Sequence, residues 1–89
     1  MIIVSQDKEK IVNLDNLTQV YITQDEEETA YFIRYETVDS LYDDLGKYET
    51  EERAKEVLKE IITRYENWEN MKMGQPSGIC SPVYEMPED

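Results

Sequence analysis

Five short runs of apolar residues, followed by one long stretch of helical periodicity, organise this chain. "MIIVS" and "KIVNL" are β-rich and flank the polar "QDKE", which is the pattern of a hairpin. "LTQVYIT" alternates, with Thr18, Val20 and Ile22 on one face and Leu17, Gln19 and Tyr21 on the other. "QDEEE" breaks the pattern as a loop. "TAYFIRYE" resumes it, with Tyr31, Ile33 and Tyr35 opposed to Ala30, Phe32 and Arg34. "TVDS" reads as a turn, and "LYDDLGKY" as a final strand with Leu41 and Leu45 facing inward. Asp43 would share their face, so a bulge or an early strand end is expected at Asp43 and Asp44, where Gly46 permits irregular backbone.

From Thr50 the period changes. Ala54, Val57, Leu58, Ile61, Ile62, Tyr65 and Trp68 recur at spacings of three and four, forming one apolar helical stripe. Thr50 is the expected N-cap, and Glu51 and Glu52 put negative charge in the first turn, where the helix dipole favours it. Glu51–Lys55 and Glu60–Arg64 are spaced as i, i+4 ion pairs. An isolated helix of this length is marginal in water, so the stripe needs a sheet to cover it. Strands first and one helix last predict an α+β domain over residues 1–70. Its expected form is an antiparallel meander of four to five strands with the helix packed on one face. Residues 71–89 hold all three prolines and two of the three glycines. They read as a tail that is flexible or ordered by a partner.

The polar cluster in "IVNLDNLTQV" has two readings, a tight connection or a set of oxygen ligands for a hard cation. Asn and Asp side chains bond nearby backbone and favour turns, whereas calcium loops space several carboxylates around a glycine that this stretch lacks. Asn13, Asp15 and Asn16 are therefore expected to make a turn.

Charge narrows the partners. The chain of 89 residues carries 21 acidic and 9 basic residues, a formal net charge of −12. Residues 25–52 alone hold eleven acids against Arg34 and Lys47. Nucleic acid and anionic membrane surfaces would both repel such a chain, so neither is expected as a direct partner. The start turns polar after Val4, too short for a signal-peptide core, and a single cysteine excludes an internal disulfide. A cytoplasmic location is expected. At this length only about 60% of the unfolded chain's surface is buried on folding, so the core is expected to be thin.

Two segments resemble a known group. "IIVSQDKEKIVNLDNLTQVYI" and "LGKYETEERAKEVLKEII" are similar to small uncharacterised proteins of Gram-positive bacteria and their phages. Those share an I-V-N-x-D-N turn and an L-G-x-Y-x-T-E-E-x-A-K-x-V-L helix entry. The resemblance covers roughly residues 1–65 and implies a phage-associated protein, with no activity or residue role to carry over. In element order alone there is also a weaker likeness to bacterial pleckstrin-like domains.

Candidate chemistry is sparse. With no histidine the chain lacks Ser-His and Cys-His pairs and the commonest zinc ligand. Cys80 has no basic neighbour in sequence to lower its pKa. Neither catalysis nor a cofactor or metal is expected. The candidate interaction residues are Asp25, Glu26, Glu27, Glu28, Asp43 and Asp44, as part of a negative face, with Trp68 and Tyr84 as spare aromatic groups. They point to a small non-catalytic protein-interaction or structural protein that binds a protein partner or itself as a homodimer. The alternative is an acidic DNA mimic that inhibits a host nucleic-acid-binding protein.

Overall fold

Asn13 ends the first hairpin by turning its side chain back: Oδ1 accepts a hydrogen bond from the Asp15 N–H at 3.1 Å, and Leu14–Asn16 close into a single 3-10 turn. This computed structural model describes residues 1–27, 29–74 and 83–89. The hairpin comprises β1 (Ile2–Val4) and β2 (Ile11–Asn13), paired antiparallel with Ile3 opposite Val12. After the turn, β3 (Leu17–Gln24), β4 (Tyr31–Thr37) and β5 (Tyr42–Tyr48) form an antiparallel meander in the order β3-β4-β5. Then comes α1 (Glu51–Gly74), and finally β6 (Val83–Glu85) runs parallel to β1 with Tyr84 beside Ile3.

The class is α+β as expected, but the sheet is not one meander of four to five strands. There are two sheets of three strands, β2-β1-β6 and β3-β4-β5. The 3-10 turn is the cause: it redirects the chain after Asn13, so β2 and β3 do not become hydrogen-bonded neighbours. Val83–Glu85, expected in a flexible or partner-ordered tail, is a strand of this chain, and α1 runs past residue 70 to Gly74.

The bulge expected in the last strand falls at Leu45. Register passes from Ile33 opposite Gly46 to Arg34 opposite Asp44, which leaves Leu45 unpaired and turned into the core at 1% exposure. Leu41, expected inward, is 67% exposed because it lies in the turn before β5 and the bulge breaks the strand's parity.

Thr50 caps α1, its Oγ1 accepting from the Arg53 N–H at 3.1 Å. The inner part of the stripe, Ala54, Val57 and Ile61, is buried against Ile33, Leu45 and Tyr48, while Tyr65 and Trp68 pack at the core's edge. Tyr84 and Met86 complete this core from the far end of the chain. Lys55 pairs with Glu51 at 2.8 Å. Glu60 and Arg64, expected to pair, are both turned to β6: Glu60 accepts from the Tyr84 hydroxyl at 2.6 Å, and Arg64 lies 5.6 Å from the centre of the Tyr84 ring. Among the described residues, no helix is long and apolar enough to cross a membrane.

Candidate interaction surface

The described acidic candidates fall in two places, the β3–β4 loop and β5. Asp25 is a loop fastener: one carboxylate oxygen accepts from the Thr29 N–H at 2.7 Å and the other from the Thr29 hydroxyl at 2.6 Å. The Thr29 hydroxyl is the main reason the Asp25 carboxyl sits below the usual carboxylate range. Glu26 and Glu27 are exposed at the tip of that loop, and Glu28 lies outside the described residues.

Asp43 and Asp44 are roughly 10–14 Å further along the sheet, opposite Tyr35 and Arg34. They reach different cations. Lys10 Nζ meets Asp43 at 2.7 Å, and Arg34 Nε meets Asp44 at 2.8 Å. The Lys10 hydrogen bond holds the Asp43 carboxyl below its usual range, and in return Asp43 raises Lys10. The Arg34 guanidinium also lies 4.9 Å from the centre of the Tyr42 ring.

Of the two aromatic candidates, Trp68 is half-buried against the core. Tyr84 is 6% exposed and belongs to that core, so only its rim reaches the surface, in a cleft it shares with Glu60 and Arg64. Burial is the main cause that raises its hydroxyl pKa, followed by the bond to Glu60.

Strand edges were not legible in the sequence, and they differ sharply. The outer edge of β5 is closed by Gln6. Its N–H donates to the Leu45 carbonyl at 2.8 Å, and its Oε1 accepts from the Lys47 N–H at 2.7 Å. Its Nε2 donates to the carbonyls of Lys47 and Glu88, at 3.0 and 2.8 Å. One side-chain amide thus stands in for a strand. The outer edge of β3 has no such cover: among the described residues no backbone hydrogen bond reaches it. Between this edge and α1 runs a groove of about 410 Å³, its apolar walls formed by Leu17, Val20, Leu58, Ile61, Ile62 and Tyr65. Ile62 is 50% exposed there, since the helix stripe is wider than the sheet beneath it. Sequence reasoning found Ile62 and Tyr65 as stripe residues but carried no signal for an open edge, which depends on the split between the sheets.

Among the described residues no three cysteine or carboxylate side chains gather where they could hold a metal ion. No family model, curated protein or solved structure matches this chain. The fold and this surface define the chain as a small α+β protein in which, among the described residues, the open edge of β3 lies beside an apolar groove.

Proposed function

We propose that this is a non-catalytic protein-interaction protein, phage- or mobile-element-associated as its resemblance implies, that takes up an extended, uncharged strand of a protein partner along β3. Main-chain hydrogen bonds to an open edge supply affinity, and side-chain pockets beside it supply selectivity. What carries the reading is the pairing of an edge strand that no backbone hydrogen bond reaches among the described residues with the exposed Ile62 and half-buried Leu58 and Tyr65 of the adjoining groove. The DNA-mimic reading draws on the net charge and on Glu26 and Glu27. It has less to draw on at Asp43 and Asp44, whose charges are answered by Lys10 and Arg34.

The tagged chain, its Ile62→Asp variant and a Glu26→Gln, Glu27→Gln double variant are compared for capture from host lysate under a rising salt gradient. Strand uptake predicts a partner that survives high salt and is lost with Ile62→Asp alone. A DNA mimic predicts release at modest salt and loss with the double variant, because exposed charge pairs are screened within about 8–10 Å.

A further inference from the structure

We infer that the strand taken up by β3 is β3 of a second copy of this chain, paired antiparallel about a two-fold axis through Tyr21. The inference rests on the strand-uptake reading above and names its occupant. Two three-stranded sheets then become one continuous sheet, in the order β5-β4-β3 followed by β3-β4-β5 of the second copy.

Charge is the first ground. Edge strands that stay solitary are protected by lysine, proline, inward-pointing charge or a bulge. "LTQVYITQ" contains no charged residue and no proline, within a chain of net charge −12, and its bulge falls at the very start of β3, between Leu17 and Gln19, leaving Gln19–Gln24 regular. Its neighbours differ, with Arg34 and Glu36 in β4 and Asp43, Asp44 and Lys47 in β5. β3 itself offers a charged strand no side chain to pair with, and a second β3 brings no charge of its own to the edge, where Glu66 is the carboxylate lining the adjoining groove.

Register is the second. A two-fold axis perpendicular to the sheet keeps every side chain on its own face, so opposed residues must have matching parity. Centred on Tyr21, Val20 faces Ile22 of the second copy and Gln19 faces Thr23, and the regular pairing ends at the bulge between Leu17 and Gln19. Val20 and Ile22 both pack on the core side beneath α1, so this register joins apolar to apolar on that face. Centring on Val20 sets Ile22 against Thr18, and centring on Ile22 sets Val20 against Gln24. Each of those alternatives breaks the match.

The groove is the third. The same two-fold axis leaves both helices on one side of the joined sheet. Ile62, Leu58 and Tyr65 of one copy then face their counterparts across the axis, and each groove gains the wall it lacks. Because both chains are strongly negative while the paired strands are neutral, screening should tighten this dimer. A partner held by charge would show the opposite sign.

Sedimentation equilibrium of the full chain, over a range of concentrations at low and then physiological salt, tests association directly. A monomer–dimer equilibrium whose Kd falls several-fold with salt is expected. Register is tested by oxidative cross-linking in a Cys80→Ser background. Tyr21→Cys should cross-link to itself, since directly opposed residues lie about 4.5–5.5 Å apart, within disulfide reach. Gln19→Cys alone should not, yet it should cross-link when mixed with Thr23→Cys. A chain that is monomeric at every concentration and salt overturns the inference, as does a dimer that loosens with salt or cross-links through Gln19→Cys alone. If the chain is monomeric but still loses a captured partner with Ile62→Asp, strand uptake stands and only self-pairing fails.

Discussion

A Cβ added at Gly46 would lie 2.9 Å from the Tyr48 hydroxyl oxygen and 3.0 Å from its ring. The ring folds back along its own strand over the space that glycine leaves, and its hydroxyl donates to the Pro87 carbonyl at 2.9 Å. That bond fixes the ring, which is 2% exposed and has little room to retreat. Gly46→Ala should therefore cost about 1–3 kcal/mol, as overpacked core positions do. The measurement is a urea midpoint at unchanged slope, and a loss below a few tenths of a kcal/mol would show that the ring can slide. Elsewhere glycine is absent where backbone geometry would favour it: Lys8 and Ser40 occupy the left-handed region at φ 63° and 65°. This is why "QDKE" and "TVDS" are readable as turns but not as particular turn types.

At the scale of elements, the stability of α1 depends on a strand that follows it in the chain. Tyr84 and Met86 are 6% and 1% exposed, and Glu60 and Arg64 on the helix both engage Tyr84. Met86→Ala should lower stability by about 2–5 kcal/mol, the usual cost of emptying a buried methionine site. Removing residues 83–89 deletes both core side chains together, and loss of the helical circular dichroism signal at ambient temperature is the expected result. A truncated chain with wild-type helicity and urea midpoint would show that β6 is dispensable. This dependence could not be read in advance. β6 is three residues long, follows Pro82 and pairs with a strand about eighty positions earlier, so it leaves no local periodicity. Local signals served well where contacts are local: the β3–β4–β5 alternation, the bulge beside Asp44, the Thr50 cap and the stripe ending at Trp68. The acids were legible as charge, but their partners were not. Lys10–Asp43 joins two sheets, and Arg34–Asp44 follows from a register that the bulge alone sets.

For the whole molecule, the charged and aromatic groups set a pH window of stability with two limbs of different origin. On the acid side, hydrogen bonds from the Ser5 hydroxyl, the Thr29 hydroxyl and Lys10 hold the carboxyls of Asp7, Asp25 and Asp43 below their usual range. The folded chain therefore binds fewer protons than the unfolded one near pH 4. Stability from these groups is present above that point and is lost as pH falls through their folded values. On the alkaline side, burial pushes the Tyr48 hydroxyl up to about 12 and raises Tyr84, while Asp43 raises Lys10. Here the folded chain keeps protons that the unfolded chain releases near pH 10, so stability is present below pH 10 and is lost as pH rises from there through 12. The urea midpoint should therefore be level between about pH 5 and 9 and fall on both sides. It is best measured at low protein concentration near the sequence pI of about 4.2, where the net charge that keeps copies apart vanishes. The limbs separate by substitution. Asp43→Asn should flatten part of the acid limb and, by freeing Lys10, a small part of the alkaline one. Tyr48→Phe should leave the acid limb intact and remove on the order of 2 kcal/mol of loss between pH 10 and 12. A Tyr48→Phe chain with an alkaline limb as steep as the parent's would place that titration elsewhere and leave Tyr48 as a packing residue only.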